Sequence, residues 1–250
     1  TNCEIETFIH GALCVSYSGQ CYLSYSIGGR SANRGECAQP CRKKYTLVDD
    51  KGNILAKDKH LLSLKDFNAS EHIEKLANIG VSSFKIEGRL KNENYIKNVV
   101  AYYRQKLDKI GEKTSSGRVF LDFKPNVTKS FNRGFTDYFL NGRQKIFNFE
   151  TPKSIGERIG KIEHVGKNYF VIKNNNIHAQ DGLYFDGTGC LVNKVEGNKI
   201  YPNKMVGIKE GLIVYRNSDV EFEKLLKKSK TKRQIAVKIN ILENKIEAID

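Results

Sequence analysis

Hydrophobic positions change their spacing twice along the chain. Near the start, Ile5, Phe8 and Ile9 mark a short strand within Glu4–Leu13. It runs into Cys14–Arg42, a stretch rich in Gly, Ser and Cys with no sustained period, which predicts a long functional loop. Tyr45–Val48 and Ile54-Leu55, separated by Asp49-Asp50-Lys51-Gly52-Asn53, predict strand, turn and strand. The period then becomes helical. Ile73, Leu76, Ala77 and Ile79 share one face before Gly80 stops the helix, and Val81–Ile86 has the character of a short buried strand ending in Glu87-Gly88-Arg89. A longer helix is predicted over 92–110, with Tyr95, Val99, Tyr102, Tyr103 and Leu107 on or near its inner face. Those tyrosines read as helix core rather than as stacking platforms.

Beyond about Ser115 the pattern turns to short apolar runs punctuated by Gly and Asn, as in Gly156–Val165, Gly182–Phe185, Gly189–Val195 and Gly211–Tyr215. That punctuation predicts a small β-barrel or sandwich. One further helix, Val220–Lys228, precedes a closing hairpin with a turn at Glu243-Asn244-Lys245. The first half alternates helix and strand as an α/β barrel or open parallel sheet does, and in such folds active residues collect at carboxyl strand ends. A domain boundary is expected near 111–120. The chain opens on Thr1, has one methionine, Met205, and closes inside a hairpin, so it reads as a segment of something longer.

Charge adds a partner class. There are 42 Lys and Arg against 28 Asp and Glu, a net +14. Residues 1–110 carry 17 basic and 12 acidic side chains, and the remaining 140 residues carry 25 and 16. The densest run is Lys224, Lys227, Lys228, Lys230, Lys232 and Arg233. A basic field of this size attracts polyanions, nucleic acid foremost, although a Lys-rich surface also serves solubility alone. No apolar run approaches the roughly 20 residues that span a bilayer, and no secretory leader is seen, so a soluble cytoplasmic protein without a membrane partner is expected.

Four of the six cysteines are crowded into C-x6-C-x15-C-x3-C: Cys14, Cys21, Cys37 and Cys41. Clustered thiols without a leader point to metal or redox chemistry rather than to bridges. Zinc ribbons use two tight C-x2-4-C knuckles, and only Cys37/Cys41 is tight here. An iron–sulfur cluster with four thiolates fits the spacing better, with zinc and ordinary thiols as the alternatives. Cys3 and Cys190 stand apart and read as small apolar side chains.

Residues 6–24, ETFIHGALCVSYSGQCYLS, resemble the signature of peptidase family U32, E-x-F-x-x-G-A-L-C-x4-G-x-C-x-L-S, at every fixed position. Asn33–Cys41, Leu62–Asp66, Phe84–Arg89 and Phe131–Thr136 match further family segments in order. The resemblance implies the carboxyl-terminal part of a TIM-type barrel followed by a small β-barrel-like domain. The implied divisions are 1–112 (partial barrel with the four-cysteine loop), 113–218 (β domain) and 219–250 (a helix and a further β segment). It also implies a [4Fe–4S] cluster on Cys14, Cys21, Cys37 and Cys41. The implied activity is hydroxylation of a pyrimidine in rRNA or tRNA, with prephenate a co-substrate in some members; the segment beyond the β domain favours the rRNA type. A collagenase-like peptidase and a non-catalytic iron–sulfur partner of another subunit or electron donor remain open.

The residues weigh against proteolysis. Among His10, His60, His72, His164 and His178, only His10 lies beside the cysteine loop, and no H-E-x-x-H motif occurs. Lys85, Glu87 and Arg89 are the catalytic candidates at a strand end, where Arg89 could grip an anion; a structural Glu–Arg pair is the alternative. Arg30 and Arg34, with Lys227, Lys228, Lys230, Lys232 and Arg233, are the RNA-binding candidates. Asn132-Arg133-Gly134 either positions RNA or docks the two domains.

Overall fold

The computed structural model describes residues 3–17, 19–111 and 117–249. Of the boundary expected near 111–120, residues 112–116 lie outside them. In chain order the elements are β1 (Glu6–Ala12), α1 (Leu23–Gly28), β2 (Tyr45–Val48), β3 (Ile54–Lys59), β4 (Asp66–Asn68), α2 (Ile73–Asn78), β5 (Ser83–Ile86) and α3 (Glu93–Leu107). There follow β6 (Arg118–Phe120), β7 (Phe135–Thr136), β8 (Glu157–Lys161), β9 (His164–Val165), β10 (Phe170–Val171), β11 (Gly182–Phe185), β12 (Thr188–Glu196), β13 (Lys199–Pro202) and β14 (Ile213–Ser218). The chain closes with α4 (Val220–Lys228), β15 (Lys232–Gln234), β16 (Lys238–Leu242) and β17 (Lys245–Ile249).

The first sheet runs β5-β1-β4-β7, with β1 and β5 parallel and β4 antiparallel to β1. Ile9 on β1 meets Phe67 of β4, Ile73 of α2 and Tyr95, Val99 and Tyr103 of α3 in one core. Burying a side chain such as Ile9 contributes about 2 kcal/mol. Helix α3 begins where Asn92 accepts the Tyr95 N–H at 2.9 Å, a cap worth about 1 kcal/mol. Asn98, fully buried on its inner face, donates to Asn126 O and Ser130 Oγ, both at 2.7 Å, and so seats the segment after the helix.

Because β1 and β5 are parallel, their carboxyl ends share one sheet edge. There Gly11 adopts φ +127°, and a Cβ in its place would stand 2.7 Å from the Glu87 carbonyl oxygen. Only glycine allows that approach. No closed barrel is present among the described residues; the parallel β1/β5 pair with α3 behind it is the barrel-like feature.

The second sheet is antiparallel throughout, in the order β8-β14-β11-β12-β13-β10-β9. Its core gathers Phe170, Ile172, Leu183, Phe185, Val192, Ile200 and Val214. Cys190 joins them, burial pushing its thiol up to about 11, so it is an apolar filler. Two junctions bind this unit to the first. Arg133 is buried against Asp66, Nη1 to Oδ1 at 2.9 Å, its own N–H donates to Asp66 Oδ2, and its Nε donates to Pro152 O. Lys129, in the segment before β7, pairs with Asp219 at 2.7 Å and Glu157 at 3.9 Å, carboxylates that the buried Arg216 of β14 also contacts. Of the two roles open to Asn132-Arg133-Gly134, the observed contacts are those of docking.

Helix α4 folds back on α3, with Phe222 and Leu226 packed against Ala101 and Phe123. Lys97 Nζ donates to Leu226 O at 2.6 Å, and β15 pairs antiparallel with β6. Residues 219–234 therefore pack on the first unit. No described helix is long and apolar enough to cross a membrane.

Candidate metal centre

The cysteine segment leaves the carboxyl end of β1 and is more ordered than its missing period suggested. Within it lie α1 and two single helical turns, Ala32–Arg34 and Pro40–Arg42. Polar side chains rather than apolar ones shape it, which is why no periodicity betrays it. Ser24 on α1 accepts the Ala38 N–H at 2.9 Å, Asn33 accepts the Cys21 N–H at 3.1 Å, and Tyr45 donates to Pro40 O at 2.8 Å.

Arg42 closes the loop. Its Nη2 donates to Leu13 O at 3.0 Å, next to Cys14, while Nη1 donates to Ser63 Oγ at 2.9 Å and Leu64 O at 2.6 Å. One guanidinium beside Cys41 thus ties both ends of the cysteine segment to Ser63-Leu64, just ahead of β4. Sequence reading missed it. The available signal was an arginine directly after the last cysteine, a cation where thiolates gather.

All four cysteines are free; Cys21 and Cys41 are half-buried, Cys14 and Cys37 exposed. The Cys41 thiol is raised, first by burial; the Arg42 charge opposes this, and the thiols of Cys14, Cys37 and Cys21 each reinforce it. All three partners are therefore near Cys41. Among the described residues no three His, Cys, Asp or Glu stand together as ligands of a single ion. Four neighbouring thiols are donors that suit either a zinc ion or a polynuclear iron–sulfur cluster.

The other candidates do not assemble into one constellation. Lys85 is exposed and lies 4.0 Å from Glu6, back toward the amino end of β1. Glu87 accepts the Arg89 N–H, and Arg89 Nη2 donates to Gly35 O at 2.8 Å, so Arg89 braces the cysteine segment. Arg30 is exposed and its Nε donates to Glu36 O at 3.0 Å; Arg34 is exposed. Lys227 and Lys228 line the exposed side of α4's last turn, with Lys230, Lys232 and Arg233 exposed just beyond.

His10 points the other way, into the core. It is 1% exposed, its Nδ1 stands 3.2 Å from the Tyr103 hydroxyl, and burial lowers its pKa to about 4. It makes no hydrogen bond to Cys14, so the two do not form a nucleophile–base pair. His72 pairs with Asp137 and His164 with Glu210, both remote in sequence from the cysteines.

A mixed α/β sheet with a braced four-thiol segment at its carboxyl edge, joined to an antiparallel β unit, defines the class. The peptidase family U32 profile matches residues 1–181, and the chain belongs to that family. It is 42% identical to the 23S rRNA 5-hydroxycytidine C2501 synthase of Escherichia coli, over 96% of this chain and 40% of that protein. It is 33% identical to a collagenase of Porphyromonas gingivalis (77% of this chain, 56% of that protein) and 33% identical to the tRNA hydroxylation protein P1 of Bacillus subtilis (64% and 40%). The chain thus spans roughly half or less of each of these relatives. No solved structure matches.

Proposed function

We propose that this chain carries the metal-holding part of an RNA hydroxylase that adds oxygen to a pyrimidine base in structured RNA, an rRNA cytidine or a tRNA uridine. One observation carries the reading: three free thiols gather around Cys41 at the mouth formed by β1 and β5, in a chain similar over nearly its whole length to an rRNA hydroxycytidine synthase. Cys14, Cys21, Cys37 and Cys41 would hold a [4Fe–4S] cluster, which would supply one-electron chemistry next to the base. We read β1, β5 and α3 as part of a TIM-type barrel whose carboxyl edge is the active face.

The protein's own contribution is positioning. Arg42 and Arg89 hold the cysteine segment against the ends of β1 and β5, and the Arg42 charge sits beside the thiols. Exposed Arg30 and Arg34 flank the site with Tyr22 and Tyr25, 66% and 60% exposed, a mix of cation and open ring that suits unpaired nucleotides. The Lys227–Arg233 run supplies sequence-independent affinity through counterion release. Proteolysis is disfavoured because the two histidines beside the cysteine segment, His10 and His60, are buried and hydrogen-bond to the Tyr103 hydroxyl and to Arg42 O rather than to a thiol.

Two measurements test this. Anaerobic purification of the full-length protein should give a brown protein with iron and sulfide, lost in Cys14→Ser, Cys21→Ser, Cys37→Ser or Cys41→Ser but retained in Cys190→Ser. Nucleoside mass spectrometry of RNA from a deletion strain should show one pyrimidine lacking an oxygen atom. An unchanged nucleoside profile refutes the hydroxylase reading.

A further inference from the structure

On the antiparallel unit, Val214 and Arg216 of β14 and Leu183 and Phe185 of β11 are buried, so Tyr215 and Tyr184 between them face outward. The register sets these two rings side by side on neighbouring strands, with centroids 6.4 Å apart. Beyond Tyr215 comes Arg158 of the edge strand β8, exposed; beyond Tyr184 comes Gly189 of β12. A glycine there puts no side chain over the outer side of the Tyr184 ring. Further along the same strands Ile213, 42% exposed, is opposite Lys161 of β8. The row across the sheet reads cation, ring, ring, bare backbone.

A cleft of about 430 Å³ opens over the two rings, lined also by Ile213, Ile155, Asn148 and Asp186. That is within the size range of small-ligand sites. Gly211 shares the lining, and a Cβ on it would stand 3.6 Å from Lys161 Cε, so the lysine stem lies at the rim. The opposite wall is fixed. Asn148 donates to Arg133 O at 3.0 Å and accepts the Glu150 N–H at 3.0 Å. Its own N–H donates to Ser63 O at 2.8 Å, and Ser63 Oγ accepts from Arg42, beside Cys41. The cleft therefore stands on the flank of the antiparallel unit that adjoins the brace of the cysteine segment.

The groups around it are not engaged by the protein. Among the described residues nothing hydrogen-bonds the Tyr215 hydroxyl, and neither Arg158, Lys161 nor the Asp186 carboxylate has an ion-pair partner. Half-exposed rings take the face of a base, cations at the strand edge take phosphates, and a carboxylate accepts an exocyclic amino proton. A protein partner would need an acidic stripe to answer Arg158 and Lys161, whereas a nucleic acid brings a negative charge at every residue.

We propose that Tyr184 and Tyr215, flanked by Arg158 and Lys161, bind an unpaired nucleotide of single-stranded RNA on the outward face of β11 and β14. The site holds the substrate strand while another part of it lies at the cysteine segment. That the strand is RNA rests on the hydroxylase reading; the ring pair, its cleft and its cations do not.

The test uses full-length protein and a labelled single-stranded RNA of about 12 nucleotides, with affinity read by fluorescence anisotropy. Stacking on an aromatic ring is worth about 5- to 150-fold in affinity per base. The double variant Tyr184→Leu/Tyr215→Leu should bind at least about tenfold more weakly, while Tyr184→Phe/Tyr215→Phe, which keeps both rings, should bind within about twofold of the parent. Arg158→Gln/Lys161→Gln should flatten the slope of log affinity on log salt by about 1.4, the value for two phosphate contacts on a single strand. Ultraviolet crosslinking of the unaltered protein gives a readout that needs no variant: crosslinked peptides should include Tyr184 or Tyr215. Affinity of the leucine variant within about twofold of the parent, or crosslinks confined to other segments, overturns the cleft and leaves this face to a protein partner or to sheet packing. Nucleoside mass spectrometry of the deletion strain separates the two readings. Crosslinks at β11 or β14 with no oxygen missing from cellular RNA leave the cleft standing and remove the hydroxylase; a missing oxygen with unchanged binding by the leucine variant does the reverse.

Discussion

Replacing Arg42 with alanine removes three hydrogen bonds from one guanidinium, to Leu13 O, Ser63 Oγ and Leu64 O. Bonds with a charged partner are worth about 1.5–3 kcal/mol each. Ser63 is fully buried and Leu64 nearly so, so two acceptors would be left in the interior without a donor. Arg42 itself is only half-buried and water can replace part of what is lost, which brings the expected cost to about 3 kcal/mol. For a protein of this size that lowers Tm by about 6–12 °C. Arg42→Lys keeps the charge but cannot fork to two carbonyls, and should recover less than half of the loss. Thermal unfolding of the metal-free protein measures the global effect. Iodoacetamide labelling at fixed temperature measures the local one, with Cys21 and Cys41, half-buried now, reacting several-fold faster in the variant. A Tm within 2 °C of the parent together with unchanged labelling would show that the cysteine segment is not held by this residue.

Other outcomes follow from the same geometry. His10 has a folded pKa near 4, below the ordinary 6.5, so the unfolded chain takes up the proton first; stability is full above pH 6.5 and falls by about 3 kcal/mol as pH drops to 4. Urea titrations at pH 7 and 4.5 should show this component vanish in His10→Gln. Arg133→Met leaves the buried Asp66 charge unpaired and should cost about 3–5 kcal/mol, whereas the double variant Arg133→Met/Asp66→Leu should recover much of that; a double-mutant cycle in urea would show it. Reversing Lys227, Lys228 and Lys230 to Glu should weaken RNA binding uniformly across sequences and flatten its salt dependence, read by filter binding from 50 to 200 mM salt.

Periodic elements were legible from sequence because burial dictates their spacing. Val220–Lys228 is a helix with the expected bounds, and α3 occupies Glu93–Leu107 within the predicted 92–110. The cysteine segment was legible only as chemistry. Its α1 and two short turns are set by Ser24, Asn33, Arg42 and Arg89 reaching backbone atoms across the fold, contacts that leave no period. Arg89 reads in sequence as an anion grip, but its guanidinium reaches the Gly35 carbonyl.

The pairing of β15 with β6 places the chain's departure into the antiparallel unit beside its return. A load applied to that unit would pull on both strands at once, in the same direction, and meet the whole ladder together with α4 rather than peel one strand. Such a clasp lets a module be lengthened, shortened or exchanged between its two feet while the cysteine-bearing half keeps its own hydrogen bonds. The antiparallel unit can thus diverge among molecules of this architecture without disturbing the thiols.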